Sequence, residues 1–201
     1  MTSFESLREL LMRDRSVRRF DASRPVDHDT LIKLVELTRY CASARNAQPL
    51  RYRIVTDPSE LSALFPALAW AGYLTEWPGP APEEQPTAYL VQCLDTEISS
   101  SCACDDGLQL QAITLGAASF GIAGCIIKAF NRKEVTAALD LDKRFEPLHI
   151  LALGYPVEQV KIVDMTDPAA IRYYREEDGT HCVPKRKLGD LLIPAPAHTT
   201  L

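Results

Sequence analysis

The segment 107–127 most constrains the fold, because it carries no charged residue over 21 consecutive positions. Such a length could form a membrane-spanning helix, yet Gln109, Gln111 and four glycines make it a poor lipid-facing one. If 121–124 forms a turn, the segment divides into a buried helix followed by a strand. A helix that is apolar nearly all round must be covered on every side. The segment therefore predicts no membrane insertion, and in a chain of 201 residues a partner subunit is a natural cover.

Length and charge place the chain among single-domain globular proteins. The 201 residues are 46% hydrophobic and 24% charged, which is the composition of a soluble domain with a proper core. We expect one domain over residues 1–201, with an extended, polar C-terminal tail from about residue 157. The net charge of −5 provides no electrostatic footprint for nucleic acid or an anionic membrane, so neither is expected as a partner.

The cysteines indicate reduced thiols rather than a disulfide framework or a metal site. Six cysteines are scattered along the chain, and Cys102 and Cys104 form the only close pair. A zinc clip needs wider spacing and a second pair, so we expect no metal and interpret the thiols as small apolar side chains. No signal-peptide pattern is visible at the N-terminus. Together these features favour a cytoplasmic location.

Helical and strand patterns are both present along the first 155 residues. Apolar spacing and capping residues predict helices over 3–14, from an Asp27 N-cap to about residue 41, from Asp106 or a neighbour to about 121, and from an Asn131 cap to about 139. Strands are predicted over 51–56, 87–94, 124–130 and 148–153. The span 61–86 is irregular after a short helical pattern.

A cluster of arginines follows the first predicted helix, where Arg15 and Arg18 flank Ser16. Cations at a helix C-terminus complement the helix dipole, which alone explains their position. Guanidinium groups also suit bidentate binding of phosphate or carboxylate. A clamp for an anion is therefore the functional alternative to a solvated helix end.

Three further segments could likewise serve either a structural role or a binding role. Amide groups in 43–48 could close a helix end or bind the polar edge of a flat heterocycle such as a flavin. The glycines of 121–124 could form a tight connection or let backbone approach a ligand. The basic cluster 184–187 is either a solvated tail or a second arm of an anion clamp.

The histidines at positions 28, 149, 181 and 198 are too far apart to suggest a catalytic triad or a zinc-protease motif. We therefore name no catalytic side chain. The absence of an obvious acid, base or nucleophile indicates that a cofactor carries the chemistry.

In order along the chain, these strings resemble the nitroreductase family of FMN-dependent oxidoreductases. The matching strings are 15–20 (RSVRRF), 43–49 (SARNAQP), 70–73 (WAGY), 86–89 (PTAY), the glycine turn 121–124 and 183–186 (VPKR). The resemblance covers roughly residues 5–190. It implies an α+β sandwich with a mostly antiparallel central sheet flanked by helices, assembled as an intertwined homodimer with one FMN at each of two shared sites.

The resemblance also implies roles for individual residues. Arg15, Ser16 and Arg18 would bind the flavin, with Arg18 near the N1/O2 edge of the ring. Ser43, Arg45, Asn46 and Gln48 would reach the cofactor from the other subunit. The backbone N–H groups of Ala123 and Gly124 would face the N5/O4 edge. Lys185 and Arg186 would join the phosphate clamp.

The implied activity is ping-pong hydride transfer from NAD(P)H, through flavin N5, to a nitroaromatic, quinone or similar small acceptor. Two alternatives stay open: a specialised flavoenzyme of the same fold (a dehalogenase, dehydrogenase or flavin-fragmenting enzyme), and a non-catalytic flavin-binding protein. Tyr73 and Trp77 are candidate walls of the acceptor pocket, with ordinary core or dimer packing as the alternative.

Two residues depart from the family pattern, one where the phosphate would bind and one that bears on the shape of the pocket. Asp14 stands where many relatives carry a further arginine, so phosphate binding would depend more on Lys185 and Arg186. Leu50 stands where many carry tryptophan.

Overall fold

A computed structural model of the chain describes residues 3–194. By its internal contacts the chain divides into two units, residues 1–158 and 159–201, and each is described by itself.

The helices of the first unit begin where the sequence provides capping groups. The side chains of Ser3, Asp27, Asp57 and Asn131 each accept hydrogen bonds from backbone N–H groups of the turn that follows. The helices are α1 (Phe4–Arg13), α2 (His28–Glu36), α3 (Pro58–Leu64), α4 (Asp105–Ser119) and α5 (Arg132–Ala138). The predicted helices are confirmed, although the last turns before Cys41 are a 3₁₀ helix, Leu37–Tyr40.

An antiparallel sheet of four strands forms the centre of this unit, in the order β1-β2-β4-β3. The strands are β1 (Leu50–Val55), β2 (Ala88–Asp95), β3 (Ala123–Ile127) and β4 (Phe145–Gly154). All residues of β2 are buried, because helices cover both faces of the sheet. The predicted α+β class and antiparallel sheet are confirmed.

Alternating residues of β2 and β4 supply two cores, one on each face of the sheet. Tyr89 and Ala152 belong to the core under α3 and α5, together with Leu64 and Val135. Their neighbours Leu90 and Leu151 belong to the core under α2 and α4. This alternation follows the two-residue period of a strand and produces a helix–sheet–helix sandwich.

Helix α4 is buried on one face only within a single chain. Ile113 and Ala117 are fully buried against the sheet, whereas Leu108 and Phe120 are 46% and 51% exposed. The sequence predicts that this helix is packed on every side, but its own chain packs against one side only. None of the helices between residues 3 and 194 combines the length and apolar character needed to cross a bilayer.

The second unit contains a small sheet that the sequence did not predict. Strands β5 (Val160–Asp164), β6 (Tyr174–Arg175) and β7 (His181–Lys185) are ordered β5-β7-β6, and helix α6 (Leu188–Leu191) follows. Strand β7 pairs parallel with β5 and antiparallel with β6. The strands are short, and Pro184 lies within β7, so the alternation that identifies strands is too weak to detect.

Candidate functional site

The arginine segment runs along the free edge of β3. Ser16 forms an isolated parallel bridge with Gly124, and the Val17 N–H donates to the Gly124 carbonyl at 3.0 Å. Further along, the Asp21 N–H donates to the Tyr155 carbonyl at 2.8 Å. The backbone of this segment is therefore fixed to the sheet, beside the glycine turn.

Arg15 caps the helix that precedes it. Its Nη2 donates to the Leu11 carbonyl at 2.9 Å, and its Nε donates to the Asp14 carbonyl at 2.5 Å. Both acceptors lie at the C-terminal end of α1, where carbonyls lack partners within the helix. The helix-end interpretation of Arg15 is thus supported, and its role toward a flavin stays a prediction.

Arg18 is half-buried and lies next to Cys125 in β3. Burial raises the pKa of the Cys125 thiol, and the Arg18 guanidinium acts in the opposite direction, both by its charge and by a hydrogen bond. The Arg18 backbone N–H donates to the buried Glu158 carboxylate. Arg18 therefore brings a cation to the edge of β3, immediately beside the glycine turn.

Arg19, the next residue, is committed to an ion pair. Its Nε donates to Glu84 Oε2 at 2.8 Å, and this bond raises the pKa of the guanidinium. Arg18 and Arg19 are the same residue type at neighbouring positions, yet the structure gives them different partners.

The glycines between α4 and β3 satisfy structural requirements. Gly121 has a φ of +71°, a left-handed conformation that ends α4. A Cβ at Gly124 would lie 2.9 Å from the Ala152 carbonyl oxygen. The tight-connection interpretation explains both residues, and the N–H groups of Ala123 and Gly124 as flavin contacts stay a prediction.

Residues 43–48 form a constrained loop before β1. Arg45, Asn46 and Gln48 all have positive φ angles, of 53°, 55° and 50°. Asparagine tolerates this region, but arginine and glutamine do so less readily, at about 1–3 kcal/mol per residue. The Arg45, Asn46 and Gln48 side chains are exposed, and the Gln48 amide donates to Asn46 Oδ1 at 3.1 Å. The loop thus presents polar groups to solvent at a conformational cost.

Asp105, a residue that the sequence did not single out, holds this loop. Its side chain is buried, with a relative exposure of 1%. Its carboxylate accepts the Ser43 hydroxyl at 2.5 Å and the Ala44 N–H at 3.0 Å. The Ser43 oxygen in turn accepts the Gln48 N–H at 2.9 Å. An aspartate at the start of an otherwise uncharged buried helix is the signal that could have identified it.

A cleft of about 300 Å³ opens beside the loop. Arg45 and Ala47 line one side, and the segment 98–103 with Asp105 lines the other. The predicted amide-bearing loop therefore borders a space that a small molecule can enter.

The two groups of predicted ligands lie at diagonally opposite corners of the sheet. The arginine segment accompanies the first residues of β3, which pair with the end of β4. The loop 43–48 enters β1, whose first residue Leu50 pairs with Leu94 at the end of β2. Three strand spacings of ~4.8 Å and a strand length of ~20 Å separate these corners. One chain does not bring the two groups together.

Lys185 and Arg186 lie in the second unit. Lys185 is the last residue of β7, and Arg186 donates to the Pro168 carbonyl at 3.4 Å. Both side chains are exposed. Their predicted part in a phosphate clamp stays a prediction.

The aromatic residues of the irregular span have different environments. Trp70 packs against the α3–α5 core, with its ring 5.9 Å from that of Phe65. Trp77 is half-buried, and Tyr73 is 44% exposed. Trp70 is thus a core residue, and the acceptor-pocket role of Tyr73 and Trp77 stays a prediction.

A buried polar network connects the sheet to the start of α4. Gln92 Nε2 donates to the Tyr52 hydroxyl at 2.8 Å and to the Asp106 carbonyl at 3.2 Å. The Tyr52 hydroxyl donates to Gln109 Oε1 at 2.8 Å. The His149 Nδ1 lies 3.1 Å from Gln92 Oε1, so it must be the donor. Burial lowers the pKa of His149, which favours this neutral form.

Fold and site together define an α+β protein with a cationic edge and an exposed amide loop. The nitroreductase family model matches residues 11–85, which contain both segments. A solved structure from Parabacteroides distasonis, a proposed NADH dehydrogenase/NAD(P)H nitroreductase, is 26% identical, with a TM-score of 0.63 over 77% of this chain and 89% of that one. The resemblance to the nitroreductase family is thereby confirmed.

Other solved structures share the fold at lower identity. A proposed NADH dehydrogenase/NAD(P)H nitroreductase from Bacteroides thetaiotaomicron is 20% identical, with a TM-score of 0.67 over 87% of this chain and 100% of that one. An FMN-dependent nitroreductase from Clostridium difficile is 19% identical, with a TM-score of 0.60 over 75% of this chain and 87% of that one. No curated protein matches the chain.

Proposed function

We propose that this protein is an FMN-dependent oxidoreductase that passes electrons from NAD(P)H to a nitroaromatic, quinone or similar small acceptor. The observation that carries the proposal is the presence of two half-sites. Arg18 places a cation at one corner of the sheet, and Asn46 and Gln48 place amides at the opposite corner. The family resemblance and the FMN-dependent nitroreductase among the similar structures support a flavin as the ligand.

A homodimer is the second part of the proposal, because each chain carries both halves but does not join them. The same chain exposes an apolar surface on and next to α1, α2 and α4. Its most exposed members are Phe4, Tyr40, Met12, Phe120 and Ile32. A cleft of about 590 Å³ runs through this surface, between α4 and the end of α2. Exposed apolar area of this kind marks an interface, and a second copy would supply the complementary half-site.

The side chains present fit FMN as a ligand. Guanidinium groups suit its phosphate and the N1/O2 edge of its ring, and amides suit the donors and acceptors of its pyrimidine half. Lys185 and Arg186 would add cations for the phosphate. A bound FMN would supply the redox chemistry. Arg18 would stabilise negative charge at N1/O2, and the amide loop would orient the ring and exclude water.

The test begins with the absorbance spectrum of the purified protein before and after addition of FMN. The bound flavin is then mixed anaerobically with NADH and with NADPH, and its bleaching is followed. Turnover with menadione and with a nitroaromatic, at several nicotinamide concentrations, should give the parallel double-reciprocal lines of a ping-pong reaction. A protein that binds no FMN contradicts the proposal. A flavin that neither nicotinamide bleaches would favour a non-catalytic flavin-binding protein instead.

A further inference from the structure

We propose that Asp105 is a positioning residue, which fixes the loop 43–48 in the conformation that presents Asn46 and Gln48 to the cofactor. The identity of that cofactor rests on the proposed function. The loop-fixing role itself rests on contacts within one chain.

The carboxylate of Asp105 ties both ends of the loop to α4. Oδ2 accepts the Ser43 hydroxyl at 2.5 Å, and Oδ1 accepts the Ala44 N–H at 3.0 Å, at the start of the loop. The same Ser43 oxygen accepts the Gln48 N–H at 2.9 Å, at its end. The start of the loop is thus bonded to Asp105 directly, and its end is bonded to Asp105 through the Ser43 hydroxyl.

Burial makes these bonds strong and difficult to replace. Asp105 is 1% exposed, and a buried carboxylate is stable only when donors satisfy it. Charge-assisted hydrogen bonds are about twice as strong as neutral ones. Asparagine at this position would replace one acceptor oxygen of the carboxylate by an NH₂ group. That NH₂ group would face the Ser43 hydroxyl or the Ala44 N–H, both of which donate to the carboxylate in the wild-type protein.

The anchor itself is rigid. The first turns of α4 are bound to the sheet through the Asp106 carbonyl, which accepts Gln92 Nε2 at 3.2 Å, and through Gln109, which accepts the Tyr52 hydroxyl at 2.8 Å. Through Asp105, the loop is therefore held in a fixed position relative to the sheet.

The backbone of the loop explains why an anchor is needed. Arg45 and Gln48 have positive φ angles of 53° and 50°, a region that residues with a Cβ leave when they are free to do so. Without Asp105 these residues would relax, and the directions of the Asn46 and Gln48 amides would change with them. A displacement of about 1 Å in a positioning group can cost up to about a hundredfold in rate.

The experiment compares Asp105→Asn with the matched control Asp106→Asn, which removes the same charge from the same helical turn. The Asp106 carboxylate accepts the Gly107 N–H and contacts no loop residue in the described chain. Hydrogen exchange of the Ala44 and Gln48 amides is measured in the protein without added flavin. The dissociation constant of FMN and the circular dichroism of the bound flavin are measured next.

Asp105→Asn should speed exchange at both amides at least tenfold, raise the FMN dissociation constant about tenfold or more, and alter the flavin spectrum. Asp106→Asn should change none of these. Adding Ser43→Ala to Asp105→Asn should speed exchange at the Gln48 amide by less than a further twofold in the flavin-free protein, because the hydrogen bonds around Asp105 are already broken.

Two outcomes overturn the proposal. Unchanged amide exchange in Asp105→Asn shows that the carboxylate does not fix the loop. Because exchange is measured without flavin, this result does not depend on the cofactor. Faster exchange with unchanged FMN affinity and spectrum shows that the loop is fixed for another purpose. A wild-type protein that binds no FMN defeats the proposed function, and with it the cofactor role of Asp105, while the exchange data still decide whether Asp105 orders the loop.

Discussion

The Val17 N–H donates to the Gly124 carbonyl at 3.0 Å, and this bond joins the arginine segment to the glycine turn. The two segments are more than a hundred residues apart in the sequence. Their contact determines where the Arg18 side chain begins. The position of Arg18 therefore depends on the packing at Gly124.

Gly124→Ala should destabilise the protein, because the added Cβ would lie 2.9 Å from the Ala152 carbonyl oxygen and 2.9 Å from Leu151 Cδ1. We expect a loss of about 1–3 kcal/mol in the free energy of unfolding, measured by urea denaturation. Gly107→Ala, in α4, is the control, since a Cβ there meets no atom within 4 Å outside the backbone of its own helix. This substitution should stabilise the helix by up to about 1 kcal/mol. Equal stability of the two variants would contradict the packing described at Gly124.

Arg18→Ala should weaken FMN binding by about tenfold to a hundredfold or lower the flavin potential. The reason is that the half-buried cation beside β3, which we propose stabilises negative charge on the flavin, would be lost. Fluorescence titration and a spectroelectrochemical measurement test the two effects. Arg18→Lys keeps the charge and should restore the potential in part. Arg13→Ala removes an exposed arginine from the last turn of α1 and should leave both values unchanged. Unaltered affinity and potential in Arg18→Ala would remove this residue from the site.

Asn46 offers a test that separates the amide group from the backbone. Asn46→Ala removes the amide and places alanine at a φ of 55°, whereas Asn46→Gly removes the amide without backbone strain. If the amide binds the flavin, both variants should lose FMN affinity by about tenfold. Full affinity in Asn46→Gly alone would mean that only the loop conformation matters.

The main elements of the first unit could be predicted because local signals are strong there. Caps such as Asp27 and Asn131 locate helix starts, and the uninterrupted apolar run of β2 predicts a strand buried on both faces. The second unit lacks such signals. Strand β6 has two residues and β7 contains Pro184, so their pairing depends on long-range contacts that composition does not encode.

The candidate site shows a similar division. Residue types and order indicated the arginine segment and the amide loop, but not the partner of each arginine. Glu84 binds Arg19 from 65 residues away, and Asp105 binds the loop from 61 or 62 residues away. Contacts between residues so far apart in the sequence are formed only by the tertiary fold. The structural role of Asp14, whose carboxylate accepts the Thr114 hydroxyl at 2.8 Å, was hidden for the same reason.

His149 should make stability depend on pH. Burial lowers the pKa of His149 in the folded chain below the ordinary value of 6.5, so the folded state resists protonation. The stabilisation is complete above pH 6.5 and is lost as the pH falls below it, until the folded-state pKa is reached. Urea denaturation from pH 7.5 to 5 should show this decline, with a smaller slope in His149→Asn. Identical slopes in the two proteins would contradict a buried neutral histidine.

Mixing the two weakened variants, at an FMN concentration that leaves each of them alone largely unoccupied, tests whether the half-sites of different chains combine. In a shared site, Arg18 comes from one subunit and Asn46 from the other, so a heterodimer of Arg18→Ala and Asn46→Ala chains contains one intact and one doubly altered site. Random exchange makes about half of the dimers heterodimers, and we expect about a quarter of the wild-type flavin sites and activity to return. Each variant mixed with itself is the control. If both groups served the same site within one chain, every site would keep one defect and mixing would restore nothing.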